Sequence, residues 1–235
     1  MIVGCLKTLY WAHEIVVIDS GSVDKTALLA KKRGAKVFIN TFKDFSQQRN
    51  YSLDKVRGDW LLYIDADERV SKKLSREILN IVENNDVYQA YQIPRLNIFF
   101  GKPVFYGGWF PDYQTKLFKK EALKKWYGAV HESPQIEGKI GKLKNKLVHL
   151  THRSLSECFE KSAFWTQLEC ELLFKANHPK VTIFHLFKVI IKEFGWRFFI
   201  KSGFRDGKIG WLESLNQAAN KFLVYIQLWE KQQNS

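Results

Sequence analysis

What the chain lacks narrows it first. It has no stretch of about 18 uncharged apolar residues, so no transmembrane helix is expected. Its N-terminus lacks the basic-then-apolar build of a signal peptide. Cysteine is scarce: Cys5, Cys158 and Cys170 are an odd set without metal-type spacing. That excludes a disulfide framework and points to a reducing compartment, so the expectation is a protein made and kept in the cytoplasm. There is no internal repeat and no low-complexity tract. Acids are few as well, 24 Asp and Glu against 37 Lys and Arg, for a formal net charge of +13. Such an excess calls for a polyanionic partner: nucleic acid, a phosphorylated sugar or an anionic membrane face.

What is present is apolar content of 46% in 235 residues, enough for one good core with room for an appendage. The run Asp59-Trp60-Leu61-Leu62-Tyr63-Ile64-Asp65-Ala66-Asp67-Glu68 reads as a buried strand ending in carboxylates. In open α/β sheets the C-terminal end of a strand is where ligands bind. Two carboxylates one residue apart there can share a divalent cation; the competing reading is an acidic turn before the helix that begins near Ser71. Upstream, Leu6 to Ala12 reads as the end of a helix, and Glu14 to Asp19 as a strand with an acid at its tip. Ser22 is expected to cap a helix running to about Arg33, before Gly34. Strand 36–39 and a helix over 45–56 with Gln47, Gln48, Arg49 and Asn50 follow. This alternation predicts βαβ units and a mostly parallel sheet. Beyond Asp67 come a helix over 73–84, an extended run at 90–100 whose Pro94 argues for an edge or a bulge, an aromatic loop at 107–113, and short strands at 114–118 and 146–152. From Ser154 on, everything reads as helix, opened by the capping-box pattern Ser154-Leu155-Ser156-Glu157.

Three segments carry a resemblance: Ile-Asp-Ser-Gly-Ser-x-Asp-x-Thr at 18–26, Gln-Arg-Asn at 48–50, and Gly-Asp-Trp-Leu-Leu-Tyr-Ile-Asp-Ala-Asp-Glu at 58–68. They look like the family 2 glycosyltransferases. Gly-Gly-Trp-Phe-Pro-Asp-Tyr-Gln-x-x-Leu-Phe at 107–118, Val-His-Glu at 130–132 and Asp-Gly-Lys-x-Gly-Trp at 206–211 resemble the bacterial lipopolysaccharide core branch, often described as β-1,4-glucosyltransferase-like. The resemblance covers nearly the whole chain. It implies an α/β fold of the GT-A (Rossmann-like) type over residues 1–152, with a helical, basic and aromatic extension over 153–235. It also implies an inverting hexosyl transfer from a nucleotide-diphosphate sugar, UDP-linked by preference, to a lipopolysaccharide core or other lipid-linked glycan, helped by magnesium or manganese.

Residue by residue, the resemblance puts the metal on Asp65, Asp67 and His149, and the nucleotide sugar on Asp19, Ser20, Arg49, Asp65 and Trp109. The base that takes the acceptor proton is Asp112 or Glu132. Several positions have a plainer alternative: an acid closing a turn, an exposed helix arginine, a structural histidine. The chain also departs from the family, because it starts inside the helix that follows the family's first strand. A start assigned too late, a shortened chain and a decayed gene would each explain this, and a late start is the preferred reading. Without that strand, the strands ending at Asp19 and Asp65 would face a gap of two strand spacings, about 9.6 Å, with unpaired backbone on both sides. Weak donor binding and poor stability would follow, and a catalytically impaired glycosyltransferase-like protein is the alternative function.

The tail accounts for the charge. Ile183, Phe184, Phe187, Ile190, Ile191 and Phe194 fall on one helical face, with Lys188 and Lys192 elsewhere on the helix and Arg197, Lys201, Arg205 and Lys208 close behind. Basic residues interleaved with aromatics suit a peripheral segment on the inner face of the cytoplasmic membrane, against anionic lipid; packing on the catalytic domain is the alternative. The stripe Leu212, Leu215, Ala219, Phe222, Ile226 and Trp229 reads as core or dimer contact. A nucleic-acid partner is not expected, since no binding motif accompanies the charge.

Overall fold

A computed structural model of the protein describes residues 1–84, 87–128 and 132–234. The chain divides into two compact units, Met1–Arg95 with Asp112–His149, and Leu96–Pro111 with Leu150–Ser235. The division falls just before the expected boundary at 152/153, and the aromatic loop joins the helical unit.

The first unit opens with α1 (Ile2–Leu6), β1 (Val16–Asp19), α2 (Thr26–Lys31) and β2 (Lys36–Ile39). Helix α1 stops at Leu6 instead of reaching Ala12, because the Thr8 hydroxyl donates to the Cys5 carbonyl and tightens the last turn. β1 and β2 pair in parallel, Val16 opposite Lys36 through Asp19 opposite Ile39. Ile2, Leu6, Ala30 and Ala35 form the small core beneath them. Ser22 does not cap α2, which begins at Thr26 after Lys25 without a side-chain cap; Ser22 is engaged with Asp19. Next come α3 (Phe45–Leu53), capped by the Asp44 carboxylate on the Gln47 N–H, then β3 (Trp60–Leu62), β4 (Glu68–Val70) and α4 (Lys72–Glu83), capped by Ser71 on the Leu74 N–H.

The strands that follow are β5 (Ala90–Phe99), β6 (Lys102–Pro103), β7 (Asp112–Lys119), β8 (Leu123–Tyr127), β9 (Ser133–Ile136), β10 (Ile140–Lys142) and β11 (Leu147–Leu150). The larger sheet has the order β3-β7-β5-β11-β4, with β6 and β10 also on β5. The expected mostly parallel sheet is corrected here. β3, β5, β8 and β11 meet β7, β7, β9 and β4 antiparallel, whereas β1–β2 and β5–β10 pair in parallel. The physical reason is the connections: strands joined by loops fold back on their neighbours, whereas parallel pairing needs a crossover such as α2. Among the described residues, β1 and β2 form a sheet of their own, without pairing to β3.

Pro94 lies within a paired strand, opposite Tyr113, two residues past a register shift at Tyr91/Gln92. The missing N–H thus sits beside a bulge, as proline in a sheet requires. Leu74, Ile78, Ile93, Leu117 and Leu147 are fully buried between α4 and the sheet, and Leu61, Phe118 and Trp126 form a second cluster.

The second unit contains α5 (Leu155–Lys175), α6 (Ile183–Gly195), a π-helical turn at Trp196–Ile200 and α7 (Gly207–Gln233). Cys170, Val181 and Leu228 are at its core. The Asp206 carboxylate accepts from the Phe105 and Tyr106 N–H groups, so the residue before α7 closes the aromatic loop. α5 starts as its capping pattern predicts, with Ser154 Oγ accepting from the Glu157 N–H at 3.2 Å. The Glu157 carboxylate in turn accepts from the Arg153 N–H, one residue outside the standard box. Partial burial would push Glu157 up, but hydrogen bonds from Arg153 and Lys161 pull it down to about 2 from 4.5. Because the folded value is the lower one, the stabilisation is full above about 4.5 and is lost as the pH falls through about 2. We therefore expect the stability gap between the wild type and Glu157→Gln to be open at pH 6 and to close toward pH 2, read by thermal unfolding. Ser154→Ala should cost about 1 kcal/mol at either pH.

Candidate functional site

The acidic turn after β3 is built from its own backbone and from one lysine. Residues 63–67 leave the strand, earlier than the apolar run suggests, because the Glu68 side chain reaches back to accept from the Asp65 N–H at 2.9 Å while the Glu68 N–H donates to the Asp65 carbonyl. Into this closed turn comes the Lys116 ammonium, which donates to Asp65 Oδ2 and to Glu68 Oε2, both at 2.7 Å. Lys116 and Glu68 are buried, with side chains 5% and 0% exposed. Burial alone would raise Asp65, but the Lys116 and Arg49 charges outweigh it and hold that carboxyl well below the usual carboxylate range. Burial and the neighbouring Asp65 charge raise Glu68. Burial works to lower Lys116, and the two carboxylates overcome it, so the lysine stays charged.

Two arginines extend the network. Arg49 of α3 donates through Nε and Nη2 to Glu132 Oε1 at 3.1 and 2.8 Å and lies 3.7 Å from Asp65. Its guanidinium also covers the Trp126 ring at 4.8 Å. Arg95 of β5 holds Asp112 at 2.7 Å and approaches Glu68 at 3.9 Å. Asp112 Oδ1 accepts from the Gln114 side chain at 2.6 Å. At the tip of the turn Asp67 stands beside His149 of β11, Oδ2 to Nε2 3.3 Å. This closeness follows from the ladder, in which His149 is the partner of Glu68.

The structure therefore joins Asp65, Arg49 and Glu132 in one cluster, links Asp112 to it through Arg95 and Glu68, and brings Asp67 to His149. Asp65 faces Lys116 and Arg49, and among the described residues no group of three or more His, Cys, Asp or Glu is arranged as a complete metal cage. Asp19 is buried and closes its own turn, accepting from the Gly21 and Ser22 N–H groups and from Ser22 Oγ, which lowers its pKa below the usual range. Ser20 Oγ accepts from Gln48 at 3.2 Å, so α3 touches the tip of β1 through one residue and the acidic turn through the next. Trp109 belongs to the second unit, where its ring packs edge-on to Phe99 at 4.8 Å and under the Arg197 guanidinium at 5.3 Å. Val130 and His131 of the 130–132 segment lie outside the described residues, whereas Glu132 lies within them.

Lys116, Glu68 and Arg95 are the residues that sequence reasoning did not assign. The signal for Lys116 was a lone lysine directly before Leu117-Phe118, both fully buried. A lysine in such a setting needs carboxylate partners.

Residues 2–134 match the family described as Glycosyl transferase family 2. An uncharacterized glycosyltransferase of Rickettsia conorii is 31% identical over 230 residues, 92% of this chain and 80% of its own. The lipopolysaccharide core biosynthesis glycosyltransferase LpsC of Rhizobium meliloti is 22% identical over 97% of this chain and 86% of its own. Among solved structures, that of S. aureus TarS in complex with UDP-GlcNAc aligns over 99% of this chain and 88% of its own at 14% identity, with a TM-score of 0.46. With the family match spanning more than half of its length, the chain belongs to glycosyl transferase family 2 and is a glycosyltransferase of mixed α/β, GT-A type.

Proposed function

We propose that the protein transfers a hexosyl group, with inversion, from a nucleotide-diphosphate sugar to a lipid-linked glycan of the lipopolysaccharide core type. The observation that carries this reading is the acidic cluster of the first unit. The carboxylates of Asp65, Glu68, Asp112 and Glu132 gather around Arg49, Arg95 and Lys116, and Asp67 stands beside His149. Carboxylate oxygens gathered at the end of a strand suit one divalent cation. Glu68 Oε1 is buried without a hydrogen-bond partner, 3.9 Å from Arg95.

Asp67 and His149, already 3.3 Å apart, would hold magnesium or manganese, with Asp65 behind them on the ribose or a bound water. When bound, the ion supplies positive charge against the charge that builds on the departing diphosphate. Arg49 is suited to the same diphosphate, since its fork presents several N–H donors to oxygen acceptors. Asp19 and Ser20 are the proposed nucleoside contacts. In the displacement the acceptor oxygen forms its bond to the anomeric carbon as the bond to the diphosphate breaks. Asp112, oriented by Arg95 and Gln114, takes the acceptor hydroxyl proton; Glu132 is the second candidate. The LpsC likeness supports the lipopolysaccharide core as acceptor.

A membrane-facing tail fits a lipid-linked acceptor. Helix α6 buries none of its residues, and Phe184 (82%) and Ile191 (73%) stand in solvent with Lys188 and Lys192 on the same helix. An apolar face with basic flanks favours an anionic bilayer surface. No helix among the described residues is long and apolar enough to cross a membrane. A second reading, a glycosyltransferase-like protein with impaired turnover, draws on the separation of the β1–β2 sheet from β3.

Calorimetry of UDP with and without manganese tests the site. Binding should require manganese and vanish in Asp67→Ala. Asp112→Asn should keep the binding and lose sugar transfer by on the order of 10²-fold or more. Failure of UDP, ADP and GDP alike to bind would sink the proposal, and tight binding with no turnover would favour the impaired reading. In co-sedimentation the protein should bind phosphatidylglycerol vesicles in preference to phosphatidylcholine. Phe184→Ser with Ile191→Ser should reduce that binding, and equal binding to both lipids would refute an anionic surface as partner.

A further inference from the structure

Lys116 occupies an irregular position in the sheet. In the β5–β7 ladder Tyr91 is opposite Leu117 and Gln92 opposite Thr115, so Lys116 has no partner on β5 and is the extra residue of a β-bulge. Bulges of this kind re-aim a side chain. On the other side of β7 the Lys116 carbonyl accepts from the Tyr63 N–H at 2.9 Å, where the chain leaves β3 for the acidic turn. Backbone and ammonium of one residue thus hold the two ends of residues 63–68. The carbonyl fixes Tyr63, and the ammonium fixes Asp65 and Glu68.

We propose that Lys116 is the positioning residue of the acidic turn: by clamping Asp65 and Glu68 from within, it sets where Asp67 projects and keeps it beside His149. Its ammonium is bonded to Asp65 and Glu68, and it acts on Asp67 through the turn. The significance of the Asp67–His149 pair rests on the glycosyltransferase reading above, but the clamp itself is a matter of geometry. The groups facing Lys116 are Asp65 and Glu68, with Arg49 and Arg95 one shell further out on α3 and β5.

Removing Lys116 alone strands two carboxylates, which is strongly destabilising. The test therefore pairs Lys116→Met with Glu68→Gln, so that the net charge is kept, and uses Lys116→Arg as the conservative variant. Two readouts are taken on the full chain. In a crystal structure of the double variant, the Asp67 Oδ2 to His149 Nε2 separation should open from 3.3 Å to beyond hydrogen-bond reach. An unchanged turn would overturn the proposal. Titration with manganese alone should show on the order of tenfold or greater loss of affinity in the double variant and recovery in Lys116→Arg, the size expected when support behind a metal ligand is removed. A double variant that binds manganese as the wild type does would also overturn it. If the wild type bound no manganese, the metal reading would fall, while the crystal structure would still decide whether Lys116 holds the turn.

Discussion

An ammonium that is nine-tenths or more out of water stays charged only if carboxylates surround it, and carboxylates crowded at the end of a strand stay close only if a cation holds them. The contact of Lys116 with Asp65 and Glu68 satisfies both conditions at once. The rest of the site is arranged around it. The Tyr63 N–H still bonds the Lys116 carbonyl at the end of β3, the chain then turns where Glu68 reaches back to Asp65, and His149 meets Asp67 because β11 pairs with β4. The arginines neutralise the outer oxygens of the same carboxylates, so removal of any member would leave its neighbours with buried charge to be resolved by movement or proton uptake.

Helix α3 ties this cluster to the nucleotide end of the proposed site through three consecutive residues. Gln48 donates to Ser20 beyond β1, Arg49 pairs with Glu132 and Asp65, and Asn50 exchanges two hydrogen bonds with the Trp126 backbone in β8. Successive residues on a helix point about 100° apart. One short helix thereby reaches three elements that do not pair with one another. Its support comes from these polar contacts, the Asp44 cap and Leu53 packed against the Leu61, Phe118 and Trp126 cluster, with Ser46 its one buried residue. That balance suits a segment whose task is to orient donors.

Much of the candidate cluster stood out in the sequence, for reasons that differ residue by residue. Asp65 and Asp67 stood out because an apolar run stopped at them, and Gln48-Arg49-Asn50 because the triplet belongs to a recognisable motif. His149 was marked by a strand with histidines and lies against Asp67. The cap at Ser154 was readable because capping is local chemistry. What escaped was non-local. Antiparallel neighbours follow from loop paths that the alternation of strands and helices does not encode. Ser22 carried a helix-cap signature, but it serves Asp19, since a buried carboxylate competes for the same hydroxyl. Lys116 escaped because nothing in its neighbours announces a bulge.

That bulge has a consequence for how this strand can change length. β7 carries one residue more than β5 needs, and the excess is absorbed at a single point, so Leu117 and Phe118 keep their phase in the core. A one-residue deletion at this point would leave a continuous, better-paired ladder with the apolar positions in register. Such a chain would fold into a more regular sheet and lose its buried cation in the same step. A shortening that looks silent by every measure of hydrophobic pattern would therefore be the most disabling deletion in the strand.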